Sequence, residues 1–196
     1  ENHLVTAFRA TVNEYVGQLA GGKMAEALGE KGKVLVFSAQ EKTESAQKRV
    51  KGFQEALAEY PDMEIMDVIY MDQVEDMRTA MQEAMETHSG VAGVFCTNAD
   101  TSDLYLELEQ GEDQPVMIGV DATSKQQKAV QGGREYGIIS QDPYEIGYQT
   151  ILAAVQVTDP EADTEAELQK TVLLEPAWID GTNMDDPQYS NYIYHS

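Results

Sequence analysis

The apolar residues of this chain fall into short unbroken runs, separated by longer stretches in which they recur every three to four positions. The runs lie at 4–10, 33–38 ("KVLVFS"), 64–70, 91–97, 115–120 ("PVMIGV"), 136–140 and, late in the chain, 169–175. Each reads as a strand. The intervening spacing predicts helices over 15–28, 43–59, 74–87, 101–109, 124–131 and 144–158, with Gly17, Ala20, Gly21 and Gly22 small enough for close packing of the first. An acidic linker, "DPEADTEAE", and an Asn-, Asp- and Tyr-rich tail read as irregular. Strands that are apolar throughout, rather than alternating, belong to a parallel sheet covered on both faces. Right-handed crossovers then gather the strand C-termini on one edge. The expected fold is α/β, a doubly wound, mainly parallel, flavodoxin-like sheet with helices on both faces.

The stretch "EYGIISQDPYEIGYQT" passes from strand to helix through Gln141 and Asp142. Asp142-Pro143-Tyr144-Glu145 carries an acid at the N-cap, proline at the first helical position and a carboxylate two residues further on, which starts a helix in any protein. Gln141 has no such local reason. It stands at a strand C-terminus, where open α/β sheets place their ligand contacts. The same edge should carry Asn98 and Asp121, each directly after a strand, and Arg49, partway into the helix after "KVLVFS". Asn and Gln both donate and accept, Asp accepts from two hydroxyls, and Arg donates in a fork, so together they suit a polyol. Each has a duller alternative: Asn98 and Asp121 as helix caps, Arg49 as a charge on a solvated face like Lys48 and Lys51. The polyol reading requires the four to share one rim and face a common space.

Composition narrows the partners. Against 13 basic side chains stand 35 acidic ones, a formal charge of −22 spread along the chain, which disfavours nucleic acid and anionic lipid. The single cysteine, Cys96, lies inside an apolar run and reads as a buried inert thiol. His3, His88 and His195 have no metal-ligand spacing, so neither metal nor cofactor is expected. No apolar stretch reaches the roughly 18–20 residues of a membrane span. The signatures of dinucleotide-binding, P-loop and α/β-hydrolase enzymes are missing, and Ser38-Ala39-Gln40 lacks the acidic cluster a receiver domain carries after its first strand. No catalysis is expected. The chain opens at Glu1 rather than methionine, so it reads as a processed or trimmed piece whose signal segment lies elsewhere.

"TESAQKRVKGFQEAL", "VAGVFCTNAD", "MIGVDATSKQQKAVQGG" and "YGIISQDPYEIGYQTILAA" stand in the order and spacing found in the sugar-binding proteins of bacterial ABC importers. From about Thr11 to the last strand the chain resembles their ribose/galactose type, the type I periplasmic-binding-protein fold shared with LacI-like repressors. The resemblance implies two lobes joined by three crossing segments, with the ligand held between them. It makes Arg49, Asn98 and Asp121 ligand contacts of the second lobe, Gln141 a contact at a crossing, and Asn13, Gln141 and Asp142 hinge residues. Val12-Asn13 stands where the family usually has Asp-Asn, and Asn98-Ala99 where it has Asn-Asp.

On this reading residues 1–31 hold a remnant of the first lobe, a crossing and the first helix of the second lobe. Residues 32–140, joined by the late strand, form the C-terminal ligand-binding lobe. Residues 141–167 supply a hinge and a helix normally of the first lobe, free to swap between chains or cover an apolar face, and 168–196 the last strand and tail. The implied function is ligand capture for an ABC permease outside the cytoplasm, with a homodimer through the exposed lobe surface as a further association and a ligand-sensing domain of a LacI-like regulator as the alternative. With one lobe present, weak or undetectable sugar binding is expected.

Overall fold

Val34, Leu35, Val36 and Phe37 are all fully buried. Consecutive side chains point to opposite faces of a strand, so both faces here are covered. The computed structural model describes residues 6–109, 114–159 and 170–194. In chain order its elements are β1 (Phe8–Thr11), α1 (Asn13–Leu28), β2 (Lys31–Ser38), α2 (Glu44–Leu57), β3 (Asp62–Tyr70), α3 (Met77–Thr87), β4 (Val91–Cys96), α4 (Ala99–Leu106), β5 (Val116–Val120), α5 (Ser124–Gln131), β6 (Gly137–Ser140), α6 (Pro143–Thr158), β7 (Thr171–Leu174) and β8 (Ala177–Ile179), followed by a 3-10 turn at Pro187–Tyr192.

Six strands form the main sheet in the order β3-β2-β4-β5-β6-β8. All pairings are parallel except β6 with β8. Helices α1 and α2 cover one face, where Val16, Ala20, Met24, Val50 and Phe53 meet Val34, Val36, Phe95 and Ile118. On the other face Met77, Met81 and Ala84 of α3 and Tyr105 of α4 pack on Leu35, Phe37, Val94 and Met117. The doubly wound α/β fold expected from the apolar runs is the observed one.

Helices α1 and α2 cross almost backbone to backbone. A Cβ placed on Gly17 would strike the Arg49 carbonyl, and one on Gly52 the Glu14 carbonyl. This contact sets where α2 carries Arg49. We therefore expect Gly52→Ala to cost about 1–3 kcal/mol, the range for overpacking a fixed contact, read by urea denaturation. A variant within ~0.5 kcal/mol of the parent, the scatter of neutral surface changes, would contradict so close a crossing.

Two expectations change. The late strand does not join the lobe of residues 32–140: β7 pairs in parallel with β1 as a separate two-stranded sheet. The strand that extends the main sheet is β8, three residues long and unmarked by the sequence pattern. It holds the edge because Gly137 has no side chain, which leaves room for the Trp178 ring. Boundaries also shift: the first strand is described from Phe8 rather than residue 4, and the fourth helix begins at Ala99 and ends at Leu106. His3, His195 and positions 160–167 of the acidic linker lie outside the described residues.

Three connections pass between the main sheet and the β1–β7 pair with α6: Val12, Gln141-Asp142 and Glu175-Pro176. Helix α6 starts as its sequence requires, with Asp142 accepting from the Glu145 N–H at 2.7 Å and Pro143 in the first turn. It rests on β1 through a narrow face in which Ala153 is buried, while Tyr144, Ile151 and Val155 are 63%, 64% and 58% exposed. Among the described residues no helix is long and apolar enough to cross a membrane.

Candidate functional site

The C-terminal ends of β2, β4, β5 and β6 lie on one edge of the main sheet, beside the point where strand order reverses between β2 and β4. Open α/β sheets bind ligands at such an edge. Ser38 and Thr97, at the ends of β2 and β4, are joined hydroxyl to hydroxyl at 2.9 Å. Arg49 reaches this edge from α2. Its Nε donates to Asn13 Oδ1 at 2.8 Å and its Nη1 to the Thr97 carbonyl at 2.7 Å. The side chain is 6% exposed. Burial pulls the guanidinium below its ordinary pKa, and the Asp121 carboxylate and Tyr194 oppose that shift.

Asp121 follows β5 with φ of 76°, a left-handed conformation that costs energy for a residue with a Cβ and is tolerated best by Asp and Asn. Strain of this kind gathers at functional sites. Asp121 is not the cap of α5. Thr123 has that role, with Gln126 completing a capping box. The Asp121 carboxylate is turned instead toward the sheet edge. Its Oδ2 accepts from the Ala99 N–H at 3.0 Å, at the first residue of α4, and its Oδ1 accepts from Gln141 Nε2 at 2.6 Å and from the Tyr194 hydroxyl at 3.0 Å. Gln141 in turn accepts at Oε1 from the Thr11 hydroxyl at 2.9 Å. That bond ties the first crossing directly to the second.

Asn13, Arg49, Asp121 and Gln141 therefore meet in one polar cluster where two of the three connections cross. Asn98 stands on the same edge, but its side chain is engaged locally. Its Oδ1 accepts from the Thr101 hydroxyl at 2.7 Å at the N-terminus of α4, and its Nδ2 lies 3.5 Å from Asp100. Asp142 caps α6 and takes no part in the cluster. Arg49, Asn98, Asp121 and Gln141 all stand at this edge of the main sheet. Their polar tips are engaged: Gln141 donates to Asp121, while Arg49 donates to Asn13 and the Thr97 carbonyl.

Sequence reasoning missed three participants. Thr97 contributes its carbonyl, which has no residue-type signature. Thr11 looks like the end of a strand, and only the fold brings it to Gln141. Tyr194 sits in a tail that reads as irregular. Lys125, Glu107 and Arg78 form an exposed ion-pair chain, worth little in water. Among the described residues no group of three His, Cys, Asp or Glu could hold a metal ion.

A family model described as "periplasmic binding protein domain" matches residues 1–162. The ribose import binding protein of Escherichia coli is 28% identical over 156 residues, a match covering 78% of this chain and 52% of that protein. The chain thus spans about half the length of the curated relatives it matches. An ABC transporter solute-binding protein from Agrobacterium vitis, solved with alpha-D-tagatopyranose, superposes with a TM-score of 0.86 at 22% identity, covering 97% of this chain and 64% of that one. A second solute-binding protein from the same organism, solved with D-fucose, also gives a TM-score of 0.86 at 22% identity, over 96% of this chain and 65% of that one.

Proposed function

The chain belongs to the periplasmic binding protein domain family, and from that premise we propose that it is the sugar-binding part of an extracytoplasmic solute-binding protein serving an ABC importer. The observation that carries the reading is the cluster of Arg49, Asp121, Gln141 and Asn13 at the crossing of the connections. Its groups are those a polyol exchanges with readily. A carboxylate accepts from hydroxyls, and the amide and guanidinium donate to them in fixed planar geometry. Asn98 joins these contacts by releasing its hydrogen bond to Thr101.

The work done is capture, with no bond made or broken. Asn13, Gln141 and Asp142 act as the hinge, since a rotation about connections only a few residues long moves the β1–β7 pair and α6 relative to the main sheet. A ligand touching both sides favours the closed arrangement by its differential contacts. The partners in this reading are a monosaccharide and a permease. A second copy is a further partner, packing on the solvent side of α6, where Tyr144, Tyr148, Ile151 and Val155 are exposed; apolar exposure of this kind marks contact surfaces.

The test is binding of D-ribose and D-tagatose by the chain, followed by NMR at millimolar sugar. Weak binding is expected, with shifts at residues 97–99, 121 and 141. Asp121→Asn, which keeps the left-handed backbone and removes the charge, should weaken binding at least about tenfold, the value of a hydrogen bond to a charged group. Lys31→Gln, at the opposite end of β2, should leave it unchanged. Sugar-induced shifts spread over the surface, or none at any concentration, would overturn the proposal. Micromolar affinity would overturn the division of the contacts between two lobes.

A further inference from the structure

The carboxylate of Asp121 already holds a hydroxyl. Tyr194 lies 73 positions further along the chain, and its phenol donates to Asp121 Oδ1 at 3.0 Å. The other donors to this carboxylate, Gln141 and the Ala99 N–H, come from the loops of the sheet edge itself. Tyr194 is brought there by a segment with its own anchorage. Tyr189, Tyr192, Ile193 and Tyr194 pack against a small apolar cluster of Ala122, Val130, Ile138, Ile179 and Met184. Ser140 Oγ donates to the Tyr192 carbonyl at 2.5 Å, and Gln127 Nε2 donates to both the Ala122 and Tyr194 carbonyls, at 2.8 and 2.9 Å.

The segment is therefore docked on apolar side chains and backbone groups independently of the phenol. A turn of the Tyr194 side chain would free Asp121 without detaching the rest. Staggered rotamers make that a small local motion, unlike the breaking of a strand or helix. Burial and the neighbouring Asp121 charge hold the phenol in its protonated, donating form, so it offers the carboxylate the same O–H group a sugar does.

We propose that Tyr194 is a built-in competitor for the sugar site, its hydroxyl occupying the acceptor position on Asp121 that a ligand hydroxyl takes, so that ligand binding expels it. The inference rests on the carbohydrate reading above and adds to it a residue that sets apparent affinity. Sugars able to place two hydroxyls on Asp121 gain most, because one of them replaces what the phenol gives up.

Tyr194→Phe keeps the ring and its packing while deleting the competing donor. Its affinity for D-ribose or D-tagatose should exceed that of the parent chain by about tenfold, the value of one hydrogen bond to a charged acceptor. A purely structural role would not move the second readout. In the parent chain the ζ-carbon NMR resonance of Tyr194 should travel toward that of water-exposed tyrosine in step with sugar binding, and Asp121→Gly, which suits the left-handed backbone and removes both acceptors, should produce the same change with no sugar. Equal or weaker binding by Tyr194→Phe, or a tyrosine resonance that sugar does not move, overturns the competitor and leaves the carbohydrate reading standing. Absence of binding by both folded proteins removes that reading, and the competitor with it.

Discussion

Arg49→Met should lower the unfolding free energy by about 3–5 kcal/mol, the usual cost of breaking a buried charged network from one side. The guanidinium is 6% exposed and is the donor to both the Thr97 carbonyl and Asn13 Oδ1. Methionine fills much of the same volume and donates to neither. Two acceptors would lose their partner, and Asp121 would lose the cation opposing its charge. Arg49→Lys should fall between, because an ammonium keeps the charge but has no planar fork with which to span two acceptors. Urea denaturation decides the matter. If Arg49→Met is as stable as the parent, then water satisfies Thr97 and Asn13 just as well, and the cluster is no organised site.

The second large effect has the opposite sign. Glu135→Gln should stabilise the protein, and by more as the pH rises. Glu135 is 2% exposed. Its Oε1 accepts from Gln126 Nε2 at 3.2 Å, while its Oε2 has no hydrogen-bond partner among the described residues. Burial is the main reason its pKa stands at about 8 rather than 4.5, with Gln126 opposing the shift and Asp103 adding to it. The folded protein therefore holds this proton more tightly than the unfolded chain does. The resulting stability is complete below pH 4.5 and is lost progressively as the pH climbs toward 8. At ~1.4 kcal/mol per unit, the loss is roughly 5 kcal/mol at most. Glutamine copies the protonated carboxyl and does not ionise. The stability gap between the two proteins should be close to zero at pH 4.5 and widen up to pH 8. Other titrating groups drop out of this difference. Denaturation at a series of pH values would show it, and a gap that stays constant with pH would mean the carboxylate is hydrated.

What the sequence disclosed, and what it withheld, divide along physical lines. Strands β2, β4, β5 and β6 are legible because central parallel strands are apolar at every position, and α6 because Asp142-Pro143 is local chemistry. Strand β8 is not legible. Three residues between Pro176 and Asp180 carry no periodicity, and their place depends on Trp178 lying over a glycine forty-one positions earlier in the chain. The pairing of β7 with β1 likewise depends on the fold, since a short apolar run does not name its partner.

The candidate site shows the same division. Arg49, Asp121 and Gln141 could be brought to one edge from strand order alone, because each follows a strand directly or through its helix. Which use Asn98 makes of its side chain was open, because capping and ligand binding ask for the same residue type. Glu135 sits in "GGREYG" between a helix and a strand, where nothing in the pattern marks it for burial. It is buried because Gly119 leaves it room: a Cβ there would collide with the Glu135 carboxylate, Gln126 and Ser102. Tyr194 could not be found at all without tertiary structure, since its meaning lies in a contact across 73 positions.

The most direct measurement of the central claim is to follow the side-chain N–H signals of Arg49 and Gln141 by NMR while D-ribose or D-tagatose is added. Both groups are held by named partners in the free protein, so a sugar entering the cluster must replace or lengthen those bonds. The account predicts that the Arg49 Nε–H and Gln141 Nε2 signals move together along one binding curve, and that Asp121→Asn moves that curve to at least about tenfold higher sugar. Sugar binding that leaves both signals in place, with shifts gathered on another part of the chain, would contradict it.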